Sequence, residues 1–267
     1  MFQTLLYSDK NFDSYDHPFI FASVSFFVVP TRAWLLVDSI SAVKYLVFEK
    51  KKYSMAQVVE ALKAEWKGFD DMRRDFKEAP KFGNNDQFAD TIMQKVVTDI
   101  HNVSRHCLDL QNQAIFPHAL VVTWMYHLAP LTGALPNGRK RGEPLCDGGI
   151  NPHAEFDKGG HWDRLNSAMS VDQTKLKAWI YNQKFDYNSV EGDTGLDKLV
   201  DFSMAGLEGG MSQLQYNMVS RDLLVDAKKN PEKYPYLSVR ISGYSAYFTS
   251  LPEYVQDAVI QRVDNEL

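Results

Sequence analysis

The sequence has little cysteine, no excess of basic residues and no apolar run long enough to cross a membrane. Only two of its 267 residues are cysteines, Cys107 and Cys146, which does not suggest a disulfide framework and indicates reduced thiols. The formal net charge of -5 provides no basic face for nucleic acid. The apolar run at residues 19–29 is shorter than the roughly 20 residues that span a bilayer. We therefore expect no nucleic-acid partner and no membrane segment.

The coarse pattern of the chain is an alternation of helices and strands without an internal repeat, which predicts an α/β protein. Ser54 with Gln57 three positions later predicts a capped helix, with Val58, Val59, Leu62 and Trp66 on one face and Gly68 as its stop. Phe88, Ile92, Val96 and Ile100 at spacing four predict a second helix over 86–109. Further predicted elements are helices at 196–207 and 221–229 and strands at 119–124, 179–183, 213–218 and 237–241.

A short segment near the C-terminus carries a possible chemical function: Arg240-Ile241-Ser242-Gly243-Tyr244. It resembles the Arg-Val-x-Gly-Tyr signature of glycyl radical enzymes, and this resemblance makes Gly243 the candidate radical site. A radical on a backbone α-carbon needs a planar centre conjugated with both flanking amides, and glycine reaches that geometry without a Cβ clash. The alternative reading of Gly243 is a plain turn between the strand at 237–241 and a helix that Pro252 opens.

A loop over residues 133–152 carries two more motifs, similar to the Pro-Asn-Gly-Arg and Asp-Gly-Gly loops of the same family. Five glycines and three prolines in these 20 residues exclude a continuous helix or central strand and indicate an ordered loop, with a flexible linker as the alternative. The polar side chains of this loop could face an active site or could tie the loop to itself by hydrogen bonds. These side chains are Asn137, Arg139, Asp147 and Asn151.

Residues 44–51, 79–86, 213–217 and 226–234 also follow the family order, so the resemblance covers about 36–267. The likeness is to the branch with glycerol and diol dehydratases, choline lyase, arylacetate decarboxylases and fumarate-adding enzymes, and pyruvate formate-lyase looks more distant. Residues 1–35 form a divergent N-terminal segment. The acidic stretch at 9–16 argues against a secretory signal, and the run at 19–29 reads either as a buried strand or as foreign sequence from an altered start.

Family members carry a Gly-Cys-x-Glu loop whose cysteine becomes the thiyl radical that attacks the substrate. Neither Cys107 nor Cys146 has a glutamate two residues later, so neither matches this motif, and we read both as structural thiols. The histidines also predict structural roles and no metal site, because none of them pairs at ligand spacing on a predicted helix. The histidines considered are His101, His106, His118, His127, His153 and His161.

The resemblance implies the C-terminal half of a ten-stranded α/β barrel wrapped by helices, with a glycyl radical loop at about 237–251. It also implies a radical that a separate activating enzyme installs on Gly243 with S-adenosylmethionine and an iron–sulfur cluster, and no cofactor bound to this chain. Arg240, Ser242 and Tyr244 would shape the loop, and Tyr244 and Phe248 would pack. The implied partners are the activating enzyme, a chain or region with the thiyl cysteine, and a small organic substrate in an anaerobic cytoplasm.

Three functions agree with this sequence. The first is the radical-bearing part of a lyase, decarboxylase or addition enzyme that works with the cysteine-bearing part. The second is a non-catalytic spare domain that repairs an oxygen-cleaved enzyme. The third is an inactive fragment with open sheet edges and an exposed apolar face. We favour the first function, and dehydration, decarboxylation and addition to fumarate stay open as reactions.

Overall fold

The computed structural model describes residues 33–108, 112, 117–118, 128–146, 149–176, 179–185, 190–240 and 245–261. The N-terminal helices are α1 (Ala33–Val43), which continues as a π-helical turn (Lys44–Glu49), α2 (Met55–Lys63), α3 (Asp70–Glu78) and α4 (Gln87–Ser104). The later elements are α5 (His161–Met169), β1 (Tyr181–Phe185), α6 (Gly192–Glu208), β2 (Leu214–Met218), α7 (Arg221–Lys229), β3 (Ser238–Arg240), β4 (Ser245–Tyr247) and α8 (Glu253–Gln261). The strand predicted at 119–124 and the divergent residues 1–32 lie outside the described residues.

Local sequence signals set several helix ends. The Ser54 side chain accepts the Gln57 N–H, and the Gln57 side chain accepts the Ser54 N–H, which is the predicted capping box of α2. The Asp86 carboxylate accepts the Phe88 N–H at the start of α4. The predicted helix at 221–229 coincides with α7, and the helix after Pro252 is α8.

Two predicted helix ends are wrong. Helix α2 ends at Lys63, and the chain then turns through left-handed residues, Glu65 (φ 53°) and Trp66 (φ 63°). This turn places the Trp66 indole in the core, where it is fully buried, and leaves Val59 43 % exposed. Burial of the large Trp66 indole outweighs the cost of the strained turn after α2. Helix α4 ends at Ser104 and not at 109.

Two small sheets lie within the described residues. Strands β1 and β2 are parallel, pair Tyr181 with Leu214 through Phe185 with Met218, and are separated in the sequence by α6. A helix between parallel neighbours is the usual crossover connection. Strands β3 and β4 form an antiparallel hairpin, so the predicted strand near 237–241 is confirmed, and β4 is an element that the sequence did not predict.

The core divides into three clusters. The largest packs β1 against α4, α5 and α6, with Phe185 and Phe202 in edge-to-face contact at 5.5 Å between ring centroids. A second cluster surrounds Trp66 and Phe76. The third joins α7, α8 and the hairpin around Val239 and Phe248, which confirms the packing role predicted for Phe248. No helix of the described part of the chain is long and apolar enough to cross a membrane.

Candidate functional site

The hairpin of β3 and β4 carries the candidate radical motif. Arg240 and Ser245 face each other as the last register pair, and the four residues 241–244 connect them. The expected radical residue Gly243 and its neighbours Ser242 and Tyr244 lie outside the described residues. The described ends of the hairpin nevertheless show where the connection is attached.

The side chain of Asn217, on β2, pairs with the backbone of Arg240. Its Oδ1 accepts the Arg240 N–H at 3.0 Å, and its Nδ2 donates to the Arg240 carbonyl. The Arg240 guanidinium donates to the Ser245 hydroxyl across the hairpin at 3.4 Å. The hairpin of β3 and β4 is therefore attached directly to the parallel sheet through the buried side-chain amide of Asn217.

The sheet formed by β1 and β2 has an apolar face and an amide-bearing face, because successive side chains of a strand point to opposite sides. Tyr181, Phe185 and Tyr216 lie on the side of the core. Asn182 and Gln215 are register partners on the opposite side, 7 % and 9 % exposed. The side-chain amides of Asn182 and Gln215 have no hydrogen-bond partner among the described residues.

The end of the loop over residues 133–152 lies at the free edge of β1 in the same sheet. The Ile150 N–H donates to the Ile180 carbonyl at 2.9 Å, and the Asn151 side-chain oxygen accepts the Asn182 N–H at 2.9 Å. Asn151 is 5 % exposed. The loop over residues 133–152 therefore reaches the free edge of β1, and the hairpin contacts the same two-stranded sheet through a side chain of β2, which the linear sequence does not indicate.

Arg139 is fully buried inside its own loop. Its guanidinium donates to five backbone carbonyls at 2.8–3.3 Å, those of Ala129, Thr132, Gly133, Glu143 and Pro144. Its own N–H donates to the Asn137 side chain at 3.1 Å. Arg139 therefore ties the described part of this loop to itself. The assignment of Asn137, Arg139, Asp147 and Asn151 to an active site stays a prediction, and Asp147 lies outside the described residues.

Charged side chains of α3 fasten the same loop to the N-terminal cluster. Arg73 donates to the Gly138 carbonyl at 2.7 Å and forms an ion pair with Glu143 at 2.6 Å. Burial opposes the ionisation of Glu143, but the Lys140 N–H and the Arg73 guanidinium outweigh it, so the pKa of Glu143 lies below its ordinary value. Glu65 forms a second ion pair with Arg141 at 3.0 Å.

Another family segment, residues 79–86, contacts the end of this loop. Gly83 has φ +93°, and a Cβ at this position would lie 2.3 Å from the Cβ of Pro152, so only glycine fits against the proline ring. A buried acid, Asp38, accepts the Phe82 N–H at 3.0 Å. Burial raises the pKa of Asp38 to about 6, although the nearby Lys81 ammonium opposes the shift.

The histidines and cysteines occupy separate places. His153 contacts the Pro144 carbonyl at 3.0 Å, and His161 contacts the Gln183 side chain at 3.1 Å. No group of three or more potential metal ligands occurs among the described residues. Cys146 is buried and Cys107 is exposed, so only Cys146 has the buried position expected of a structural thiol.

Two family models match the chain. The model described as "Pyruvate formate lyase-like" matches residues 33–127, and the model described as "Glycine radical" matches residues 146–249, which include Gly243. This chain belongs to the glycyl radical enzyme family. The glycyl radical domain thus contains the hairpin, the parallel sheet and the loop segment with Asn151.

The relatives found among characterised proteins are glycyl radical enzymes with different substrates. The chain is 36 % identical over 239 residues to an isethionate sulfite-lyase of Oleidesulfovibrio alaskensis, covering 86 % of this chain and 28 % of that protein. It is 31 % identical over 230 residues to a trans-4-hydroxy-L-proline dehydratase of Clostridioides difficile, covering 86 % and 29 %. The chain therefore spans less than a third of the length of these relatives.

Solved glycyl radical enzymes share the fold. The glycerol-bound B12-independent glycerol dehydratase from Clostridium butyricum matches with a TM-score of 0.83 and 30 % identity, over 88 % of this chain and 30 % of that one. A glycyl radical enzyme from Archaeoglobus fulgidus matches with a TM-score of 0.79 and 28 % identity, over 88 % and 30 %. The α/β class and the correspondence to one region of the glycyl radical enzyme fold are confirmed.

Sequence reasoning missed the residue that attaches the hairpin. Asn217 belongs to a segment that follows the family order, near the end of the short strand β2. The signal that could have indicated it is the polar alternation of Gln215 and Asn217 within an otherwise apolar strand, because a buried amide requires partners.

Proposed function

We propose that this chain is the radical-bearing portion of an anaerobic glycyl radical enzyme of the cytoplasm, and that Gly243 stores the radical. The observation that carries this proposal is the hairpin: Gly243 lies in a four-residue connection between two paired strands, within the matched radical domain. The described residues at both ends of this connection are held in place. Arg240 is held by Asn217 at one end, and Phe248 is buried beyond the other.

The proposed chemistry starts with loss of a hydrogen atom. A separate activating enzyme with S-adenosylmethionine and an iron–sulfur cluster takes one hydrogen atom from the Gly243 α-carbon. The resulting α-carbon radical is stabilised by both flanking amides, and it later takes a hydrogen atom from a cysteine thiol of the remaining enzyme. The thiyl radical then acts on the substrate, and the hydrogen atom returns at the end of the cycle. Arg240, Ser242 and Tyr244 hold the shape of the loop.

A cysteine-bearing partner follows from the same proposal, because neither Cys107 nor Cys146 lies in a Gly-Cys-x-Glu motif. Exposed apolar faces support it. Leu36 and Phe48, 51 % and 62 % exposed, border an apolar groove of about 650 Å³ beside α1. A second exposed stripe runs along α6 at helical spacing and consists of Leu196, Val200, Met204 and Leu207. Apolar faces of this extent are typical of surfaces that another part of an assembly covers.

The substrate in this proposal is a small organic molecule, and the reaction is of the lyase type. The relatives carry the names of a sulfite-lyase, a dehydratase and a decarboxylase, and the structures include a glycerol-bound form. A spare domain that repairs a cleaved enzyme would use the same Gly243 and the same apolar faces, so the two functions differ in the partner and not in the radical site.

Anaerobic electron paramagnetic resonance tests the radical assignment. The purified chain is incubated with a reduced glycyl radical activating enzyme and S-adenosylmethionine, alone and with a cysteine-bearing glycyl radical enzyme part. We expect a doublet from coupling to the remaining α-hydrogen, lost in Gly243→Ala. No doublet in either arm, with an activating enzyme proven on another protein, would refute the proposal. Turnover with an intact partner supports the enzyme subunit, and rescue of only an oxygen-cleaved enzyme supports the spare domain.

A further inference from the structure

The backbone of Arg240 does not pair with the neighbouring strand of its own hairpin. In an antiparallel ladder, hydrogen-bonded and non-hydrogen-bonded pairs alternate. The Phe248 N–H donates to the Leu237 carbonyl at 2.7 Å, so the pair of residues 237 and 248 is a hydrogen-bonded one. Counting along the register, Val239 with Ala246 is the next such pair, and Arg240 with Ser245 is a non-hydrogen-bonded pair. The N–H and C=O of Arg240 therefore point away from β4.

The Asn217 side chain supplies both missing partners. Its amide offers one acceptor and one donor with the spacing of a peptide group, and it meets the Arg240 N–H and C=O together. Asn217 is 8 % exposed and is held in place by the pairing of β2 with β1. The Asn217 side chain thus makes the two hydrogen bonds that a neighbouring strand would make at the open edge of β3.

We propose that Asn217 is a positioning residue that holds the strand leading into the glycyl radical loop against the parallel sheet, and that it controls how long the radical survives. This inference rests on the proposed function of Gly243. Arg240 is only three residues before Gly243, so greater backbone motion at Arg240 also increases the motion of the proposed radical residue. Loss of the amide frees the end of β3 from the sheet and shortens the lifetime of the radical.

The chemistry of this contact suits a strand end that opens and closes again. Two neutral hydrogen bonds break at a smaller cost than a buried ion pair, and no charge is left buried when they open. Under the proposed function the activating enzyme has to reach Gly243, and the contact of Arg240 can open for that step while β2 stays in the sheet. A variant without the amide is expected to accept the radical at least as fast as the wild type and to lose it faster.

The test compares Asn217→Leu with Asn182→Leu. Both changes replace a buried asparagine on the same sheet face, but the Asn182 side-chain amide has no hydrogen-bond partner among the described residues. Hydrogen exchange of the Arg240 amide, followed by mass spectrometry, is expected to become about fivefold to tenfold faster in Asn217→Leu, which is the factor expected for the loss of one backbone hydrogen bond. The Asn182→Leu variant is expected to match the wild type at Arg240.

Asn217→Asp provides a second variant in case the leucine variant does not fold. Its carboxylate still accepts the Arg240 N–H but cannot donate to the carbonyl, so the Arg240 amide stays protected while the hold on the loop weakens. In both variants we expect a radical that forms at least as fast as in the wild type and decays several-fold faster under anaerobic conditions. A purely structural role would lower radical formation and folding stability together.

The outcomes separate the two proposals. If the wild type forms a radical and the decay rate is unchanged in both Asn217 variants, the positioning role is refuted and the radical function stands. Unchanged exchange of the Arg240 amide in Asn217→Leu also refutes the positioning role. If the wild type forms no radical, the proposed function fails, and this inference fails with it even where the exchange result shows that the contact exists.

Discussion

The side-chain oxygen of Asn151 accepts the backbone N–H of Asn182 at 2.9 Å, at one edge of the parallel sheet. On the neighbouring strand β2, the Asn217 side chain pairs with the backbone of Arg240. Asparagine side chains therefore attach both the loop over residues 133–152 and the hairpin to this sheet. Such contacts hold the backbone of a loop in place although the loop does not become a strand of the sheet. This arrangement is common for loops that contain functional residues.

Arg139→Lys tests the loop anchor. Lysine keeps the charge but has a single ammonium that cannot reach the five carbonyls that the guanidinium satisfies. We expect the free energy of unfolding to fall by about 3 kcal/mol or more, because carbonyls and a charge remain buried without partners. Urea unfolding followed by circular dichroism measures the change. The exposed Arg105→Lys serves as the control and should be neutral, and a similarly small effect at Arg139 would contradict the anchor role.

Gly138→Ala and Gly142→Ala form a matched pair within one loop. Both glycines have positive φ, +95° and +85°, so alanine strains the backbone in both variants. A Cβ at Gly138 would also lie 2.5 Å from the Cγ of Lys77, whereas a Cβ at Gly142 meets nothing within 4 Å. We therefore expect Gly138→Ala to lose about 1–3 kcal/mol more unfolding free energy than Gly142→Ala. Equal losses would show that only the backbone strain matters.

Gln215→Met is expected to stabilise this chain when it is alone. The buried Gln215 amide has no partner among the described residues, so a side chain of similar length without polar atoms avoids a desolvation penalty of about 1 kcal/mol. Gln173 is the control, since it is also buried but its amide contacts Met211 and Ser212. Gln173→Met should destabilise the chain. Thermal melting of both variants decides the matter, and a destabilised Gln215→Met would reveal a partner for that amide.

Asp90 predicts a pH dependence of stability. Burial raises the pKa of this carboxyl to about 6, although the hydrogen bond from the Ser167 hydroxyl partly opposes the shift. The native state then binds more protons than the unfolded state between about pH 4 and pH 6, so this group makes stability fall as pH rises through that window, by up to about 3 kcal/mol. Asp90→Asn should remove this part of the pH profile and raise the melting temperature at pH 8. The exposed Asp99→Asn should leave the profile unchanged, and an unchanged profile in Asp90→Asn would show that this carboxyl is not the cause.

Much of the local structure could be predicted because it depends on neighbours in the chain. Ser54 and Gln57 cap α2, and the helix at 221–229 begins and ends as predicted, since capping and amphipathic spacing act over a few residues. The sequence predicted an ordered loop from its glycines and prolines, but it did not predict the contacts that hold this loop. The five carbonyls that Arg139 binds are separated from it by four to ten residues and converge only once the loop has closed.

The helix caps, the alternation of helices and strands, the glycyl radical motif around Gly243 and the family could all be recognised in the amino-acid sequence alone. These features are local, because they depend on residue type and on spacing along the chain. Three features became visible only in the folded chain: Trp66 enters the core from a turn beyond its predicted helix, one sheet contacts both the loop over residues 133–152 and the hairpin, and Asn217 holds Arg240. Asn217 and Arg240 are 23 residues apart in the chain. Such contacts form only when burial and strand pairing have brought distant backbone groups together.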